Sequence, residues 1–275
     1  MLIEDKALKH WIDNFYGYGS WDSRLWFIAN EEGGGDLPED VADKLDYFKK
    51  VHPPTSKEHG TLCDVRDLYK HVSIRWEGPK AGLYRNLYEY RFGINAVQHG
   101  VWKNLIAFAH GYRNQDLPDL LEFQKMSFVL PSSPHEALIR LYPLPSPHNH
   151  GWYYSWLDMP QFGFLKSRAL YQEHVYSKRI HTIVHKIHEH KPDVVLMYGM
   201  NNIKALKKSV QEFFDDVQFM MVKAVKHDTH GTGTPQHHRA NLDGTTLLIT
   251  TQLPALRHGR VETGFDWYTF GEMVR

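Results

Sequence analysis

The chain has 275 residues, of which 42% are hydrophobic and 23% charged, and its 32 basic and 32 acidic side chains cancel to a formal net charge of zero. These proportions are those of globular proteins and exclude disordered and fibrous classes, while the neutral balance excludes a whole-molecule positive field for nucleic acid or membranes. Cys63 is the single cysteine, which excludes an internal disulfide and a thiolate zinc cluster.

The same features predict where the chain works. We expect one cytoplasmic domain over residues 1–275, since no composition shift or low-complexity linker divides it. The N-terminus alternates acidic and basic residues without an apolar signal segment. No stretch approaches the ~20 apolar residues that span a bilayer, so we expect no membrane partner.

The first half of the chain predicts helices around one buried strand. Apolar residues recur at helical spacing over residues 4–15, and a glycine-tyrosine turn follows at 16–19. Residues 25–29 are apolar throughout, which is typical of a strand buried on both faces of a parallel sheet. Two further helices, at residues 83–92 and 97–110, are predicted to end at the glycines that follow them, Gly93 and Gly111.

In the second half, predicted strands and helices alternate. In chain order the elements are a strand at 136–142 closed by a proline-rich loop, a helix at 163–190, a strand at 193–199, a helix at 200–214, a strand at 217–222, a loop at 226–243, a strand at 245–251 and a helix at 265–274. This alternation predicts an α/β fold, a three-layer sandwich with a central, mainly parallel sheet flanked by helices.

Three predicted strand ends carry polar or conformationally special residues, at 30–36, 143–149 and 250–260. In parallel sheets, ligands bind outside the carboxyl ends of the strands. The sequence therefore predicts a binding site where these three segments converge.

The first of these segments places Glu31 and Glu32 beside glycines that include Gly33 and Gly34. Glycines allow backbone N–H groups to approach a ligand closely, and a carboxylate there could orient or deprotonate a water. The segment lacks the glycine-lysine pattern of a phosphate-binding loop. The alternative is a solvated turn with ordinary surface acids.

The last segment carries Leu256 at the tip of a proline-stiffened loop, followed by Arg257 and Arg260. An apolar wedge beside positive charges suits insertion into stacked nucleic acid. The alternative is a loop whose leucine packs into the core.

Two of these segments resemble the signature motifs of the uracil-DNA glycosylase superfamily. Residues 29–33 (ANEEG) are similar to its first motif, of the type G-Q-D-P-Y or G-E-A-P-G, and residues 252–256 (QLPAL) to its second, H-P-S-P-L. The run DVVLMYGMNNIKAL resembles the family's third strand and following helix. This chain has Ala29 in place of the leading glycine and Gln252 in place of the histidine.

The resemblance implies excision of a damaged base from DNA, without a cofactor or metal. Glu31 would position the attacking water, and Gln252 would donate to the leaving base. Leu256 would fill the space of the flipped base while the two arginines hold phosphates. The other residues implied in substrate binding are Asn30, Glu32, Gly33, Gly34 and Tyr142.

Other readings stay open. The chain could be a non-catalytic module that reads a nucleobase, or an enzyme acting on a small nucleobase-containing metabolite. Lysines at 204, 207 and 208 indicate a solvated helix face. Histidines at 181, 185 and 188 lie on a helix where i, i+4 spacing could seat a metal, or they belong to an exposed helix face. Four histidines (His227, His230, His237 and His238) either bind a metal or belong to a surface loop.

Overall fold

The computed structural model of the chain describes residues 3–33, 37–54, 60–75, 77–78, 81–146, 151–157, 159–226, 233–255 and 264–275. The strands are β1 (Phe15–Tyr18), β2 (Leu25–Ala29), β3 (Thr61–Cys63), β4 (Glu136–Arg140), β5 (Val194–Tyr198), β6 (Met220–Val222), β7 (Val225–Lys226), β8 (Gly233–Thr234), β9 (His237–Leu242) and β10 (Thr245–Ile249). The α-helices are α1 (Asp5–Asn14), α2 (Pro38–Val51), α3 (Val65–Lys70), α4 (Leu87–Phe92), α5 (Gly100–Arg113), α6 (Leu120–Met126), α7 (Arg168–His190), α8 (Ile203–Gln211) and α9 (Trp267–Val274). Short 3-10 helices span Ala81–Leu83, Tyr153–Trp156 and Pro160–Lys166.

Eight strands form one sheet in the order β3-β1-β4-β2-β5-β10-β9-β6. The four central strands, β4, β2, β5 and β10, are mutually parallel. On the two flanks, β1 runs antiparallel to β4 and β9 antiparallel to β10. The expected α/β architecture is confirmed as a mixed sheet with a parallel centre.

The order of the central strands sets the two helical layers. In the sheet, β4 and β5 lie on opposite sides of β2. The chain forms β2 first, then β4 on one side and later β5 on the other side. Because such crossovers are right-handed, the connections before β4 and after it lie on opposite faces of the sheet. Accordingly, α7 contacts α8, while α5 packs against α6 and α9. No helix in the described part of the chain combines the length and apolarity needed to cross a bilayer.

The turn predicted at residues 16–19 is wrong, because Phe15–Tyr18 is a strand that pairs with both β3 and β4. The register shifts between Phe15 and Gly17. Gly17 has φ +135°, and a Cβ there would lie 2.0 Å from the carbonyl oxygen of Leu138. The glycine that suggested a turn instead permits a bulge and a close approach of two strands.

The predicted helix end at Gly111 is also wrong, since α5 continues to Arg113 and Asn114 closes it in the left-handed conformation. A Cβ on Gly111 would lie 2.0 Å from the carbonyl oxygen of Tyr268 in α9. Gly271 of α9 is equally close to the backbone of Phe108, with 2.1 Å to its carbonyl oxygen. Both glycines allow the two helix backbones to touch.

The loop predicted over residues 226–243 contains β8 and β9, which corrects that interpretation. β9 and β10 form a hairpin through Asp243 and Gly244, with φ values of +51° and +102°. An Asp-Gly pair suits this two-residue turn because both positions need positive φ. The strand predicted at residues 217–222 is shorter, at Met220–Val222.

Candidate functional site

The carboxyl ends of the four central strands surround a cavity of about 440 Å³, which we call the edge cavity. Each strand contributes to its lining: Glu31 follows β2, Arg140 ends β4, Gly199 follows β5 and Thr251 follows β10. The cavity lies where the strand order reverses, between β2 and β5. In open α/β sheets such a reversal leaves a crevice between diverging loops, and this is where ligands bind.

Backbone hydrogen bonds hold the loops around the edge cavity together. The Tyr142 N–H donates to the Asn30 carbonyl at 2.8 Å, which extends the pairing of β2 with β4 beyond the strands. On the other side, the Gly199 N–H donates to the Gln252 carbonyl at 3.0 Å. The segments beginning at residues 30, 143 and 250 therefore converge in their described portions.

Glu31 is held by the first turns of α7. Its Oε1 accepts from Arg168 Nε at 3.1 Å and from Gln172 Nε2 at 2.6 Å, and its Oε2 accepts from Arg168 Nη2. A carboxylate oxygen can accept two hydrogen bonds. Among the described residues, Oε2 receives one, and the Glu31 side chain, which is 5% exposed, belongs to the lining of the cavity.

Glu32 is 4% exposed, and both oxygens of its carboxylate have polar partners. The Tyr18 hydroxyl lies 3.0 Å from both oxygens, the Tyr69 hydroxyl donates to Oε1 at 3.0 Å, and Lys44 Nζ lies 3.1 Å from Oε2. Burial alone would raise the pKa of this carboxyl, but the charges of Lys44 and Arg140 and the hydrogen bonds bring the pKa of Glu32 below its usual range. We call Glu32, Tyr18, Tyr69 and Lys44 the Glu32 cluster.

Arg140 places a buried cation at the cavity. The residue is 6% exposed, and its Nη1 donates to the Tyr198 hydroxyl at 3.5 Å, a long hydrogen bond. Its Nε has no hydrogen-bond partner in the described part of the chain. A buried donor left unpaired costs about 1–3 kcal/mol, and this atom has almost no surface through which a ligand could reach it. Arg140 thus brings a positive charge into a lining that also holds Arg168, Glu31 and Glu32.

Three aromatic side chains also line the cavity, and they are His99, Trp102 and Tyr69. The ring of His99 stacks on Trp102, with centroids 4.6 Å apart and planes at 14°. His99 Nδ1 accepts from the N–H groups of Val101 and Trp102 and so caps α5, which requires its proton on Nε2. Burial, together with Arg91 and Arg140, keeps the pKa of His99 well below its usual range. These three side chains thus add uncharged aromatic rings to the lining of the cavity.

The structure gathers some of the residues predicted for the site and separates others. The predicted residues that line the edge cavity are Asn30, Glu31, Glu32 and Gly33. Tyr142 lines a neighbouring chamber instead. The edge cavity is lined by Thr251 and Leu253 but not by Gln252, whose N–H donates to Thr250 Oγ1 and whose carbonyl accepts from Gly199. The remaining predicted residues, Gly34, Leu256, Arg257 and Arg260, lie outside the described residues.

Sequence reasoning missed the partners of the two glutamates. The side chains concerned are Tyr18, Lys44, Tyr69, His99, Arg140 and Arg168. Arg140 gave a usable signal, because a cation that ends a buried strand requires a compensating partner or a ligand. The others come from helices and from β1, and their sequence positions carry no comparable mark.

Comparisons with protein-family models, curated proteins and solved structures found no match to this chain. A function therefore has to be argued from the cavity and its residues. Within the described residues, no group of three or more His, Cys, Asp or Glu side chains could hold a metal ion. His227 and His230, half of the histidine set considered for a metal, lie outside the described residues.

Proposed function

We propose that this chain hydrolyses the N-glycosidic bond of a base in DNA, with the base bound in the edge cavity. The observation that carries the proposal is that a carboxylate, Glu31, and a guanidinium, Arg140, line one cavity. Glu31 is held by Arg168 and Gln172, and Arg140 is 6% exposed. A carboxylate beside a cation suits a cleavage that builds positive charge on the sugar and negative charge on the base.

The chemistry assigns each group a role. Cleavage builds positive charge on the sugar and negative charge on the departing base. The water oxygen bonds to the sugar carbon as the bond to the base breaks, Glu31 takes the proton of that water, and Arg140 donates a hydrogen bond to the base, which leaves as an anion. Trp102 and His99 stack against the base after it leaves the helix.

The role that the resemblance implied for the Gln252 side chain passes to Arg140 in this proposal, because Arg140 lines the cavity and Gln252 does not. Gln252 then acts through its carbonyl, which accepts from the Gly199 N–H. Membership of the uracil-DNA glycosylase superfamily is part of the same proposal. Its support is that the two segments similar to the family motifs follow β2 and β10 at one sheet edge, with β5 between them.

Base release from labelled DNA tests the proposal. Duplex and single-stranded oligonucleotides containing uracil, hypoxanthine or a mismatch are incubated with the protein, and abasic sites are cleaved and counted. Glu31→Gln should lower the rate about 10²–10⁴-fold, the usual worth of a positioned general base. Glu189→Gln, on the exposed C-terminal turn of α7 at the opposite sheet edge, is the matched control and should keep the full rate.

Two results would count against the proposal. Wild-type protein that releases no base from any of these substrates would remove its premise. A rate that survives Glu31→Gln, with DNA binding also unchanged, would show that the water is held elsewhere.

A non-catalytic nucleobase-binding module is the second candidate, and one observation favours it. Both oxygens of Glu31 are already bound by Arg168 and Gln172, which hold the carboxylate in place as a structural element. This candidate predicts binding of a base-containing ligand that Arg140→Met weakens, with no release of base under any condition.

A further inference from the structure

Helix α8 carries a line of lysines that the proposed chemistry does not use. Leu206 and Val210 are buried against the core. Lys204, Lys207 and Lys208 stand at positions i, i+3 and i+4 of the same helix. Side chains at these spacings lie on one face of a helix. With Gln211 and His238 they line a surface cavity of about 650 Å³, which we call the lysine groove.

The lysine groove adjoins the edge cavity through a third cavity of about 360 Å³, which we call the side chamber. The edge cavity and the side chamber share Asn30 and Asn201 in their linings. The side chamber and the lysine groove share Asn202 and Ala205. The three cavities therefore follow one another along the carboxyl edge of the sheet, from the buried Arg140 to the exposed lysines.

The edge cavity, the side chamber and the lysine groove together form what we call the cleft. Charge is distributed unevenly along it. Lys204 and Lys207 have no acidic partner within ion-pair distance among the described residues, and Lys208 meets Glu212 at 3.5 Å, with both side chains exposed. The side chamber is mainly neutral, with two tyrosines, four amides and one acid, Glu173, in its lining. Positive charge is thus concentrated at the lysine end of the cleft, although the formal net charge of the whole chain is zero.

We propose that the cleft binds one strand of nucleic acid, with a base in the edge cavity, the adjoining nucleotide in the side chamber and the following phosphates on Lys204, Lys207 and Lys208. The proposal rests on the proposed function for the identity of the ligand in the edge cavity. A single line of cations beside aromatic side chains matches one phosphodiester backbone, and this combination is the general mode of single-strand binding. Tyr176, which is partly exposed, supplies the aromatic surface, and the edge of the buried Tyr142 lies beside it in the same lining.

Fluorescence anisotropy of a labelled oligothymidylate of about 12 nucleotides, within the usual site size of single-strand binders, tests this with the full chain. The variant Lys204→Gln/Lys208→Gln removes two of the three positive charges. Each phosphate contact adds about 0.7 to the slope of log affinity against log salt, so the slope should fall by about 1.4 and the affinity by about 25-fold at ~0.1 M salt.

The matched control is Lys186→Gln/Lys191→Gln, which removes the same charge at the C-terminal end of α7, at the opposite sheet edge. It includes one ion-paired lysine, as the test variant does, since Lys186 lies 2.9 Å from Glu189. Its affinity and salt slope should stay within about twofold of the wild type, as expected for charges that touch no phosphate. Lys204→Arg/Lys208→Arg should also bind as the wild type does.

Release of base from a dinucleotide separates this proposal from the proposed function, because a dinucleotide is too short to reach the lysines. The Lys204→Gln/Lys208→Gln variant should cleave it at the wild-type rate. Equal weakening by the test and control variants, or unchanged oligonucleotide binding in the test variant, would overturn the lysine groove and leave the edge cavity chemistry standing. Loss of dinucleotide cleavage in the test variant would also overturn it, because the lysines would then act on the cavity itself.

Discussion

Two charged regions meet at the end of β2, and they differ in how completely their polar groups are satisfied. In the Glu32 cluster, each carboxylate oxygen accepts two hydrogen-bond or ion-pair contacts from Tyr18, Tyr69 and Lys44. In the edge cavity, Arg140 Nε lacks a partner among the described residues, and Glu31 Oε2 receives one contact. The two regions therefore differ in how many partners their charged groups have within the fold.

The two adjacent glutamates both line the edge cavity but have different partners. They follow β2 in a bent segment. Glu31 meets Arg168 and Gln172 of α7, while Glu32 meets Lys44 of α2. The comparison teaches that chemical identity and sequence neighbourhood do not decide whether a carboxylate is structural or available.

The largest expected difference lies between the two ion pairs. Lys44→Met should lower the free energy of unfolding by about 3–5 kcal/mol, because it leaves the buried Glu32 carboxylate without its counter-charge. Arg168→Met should cost less, about 1–3 kcal/mol, because Gln172 still donates to Glu31 and the Arg168 side chain is 22% exposed, although the Glu31 side chain is only 5% exposed. Urea unfolding of both variants measures the difference, and equal losses would erase the distinction between the two regions.

A smaller difference is expected between two tyrosines. Tyr18→Phe removes a donor from an ionised, buried carboxylate and should cost about 1.5–3 kcal/mol of unfolding free energy. Tyr198→Phe removes a hydroxyl whose contact with Arg140 is 3.5 Å long, and should cost about 0.5 kcal/mol. The same urea titration measures both, with base release as the second readout. If Tyr198→Phe proves the more costly of the two, the cavity contributes more to the fold than we infer.

The smallest expected effect is the pH dependence contributed by His99. The pKa of His99 is lowered in the folded protein. Below about pH 6.5, His99 therefore binds a proton in the unfolded chain but stays neutral in the folded protein. The contribution of neutral His99 is therefore complete above about pH 6.5 and is lost as the pH falls, by up to ~1.4 kcal/mol per pH unit.

His99→Asn isolates this contribution, since asparagine can still cap α5. The unfolding free energy of the wild type should fall more steeply between about pH 6.5 and 5 than that of the variant. Other histidines with lowered pKa values, His110, His237 and His238, are present in both proteins and cancel in the comparison. Parallel profiles would mean that His99 is protonated in the folded protein too.

One hairpin and one bulge show which local structures could be predicted from the sequence and which could not. The Asp243–Gly244 pair between β9 and β10 is a strong hairpin signal, and recognising it would have predicted β9 inside the segment taken for a loop. Gly17 is the opposite case, because the sequence Phe-Tyr-Gly-Tyr suits a turn as well as a bulged strand. The deciding fact is the approach of Leu138, which is more than a hundred residues away in the chain.

Sequence alone determined the central framework: apolar runs at β2, β4, β5 and β10, separated by helices, predict parallel strands whose carboxyl ends share one edge. It thereby predicted that Glu31 and the loop after β10 would approach one another, because strand period and burial are local properties of the chain. The tertiary structure alone decided which side chains meet there. Glu31 is held by Arg168, 137 residues further on, and Arg140 approaches Tyr198 across 58 residues. Such partnerships depend on strand order and on which layer each helix joins, and no local pattern encodes either.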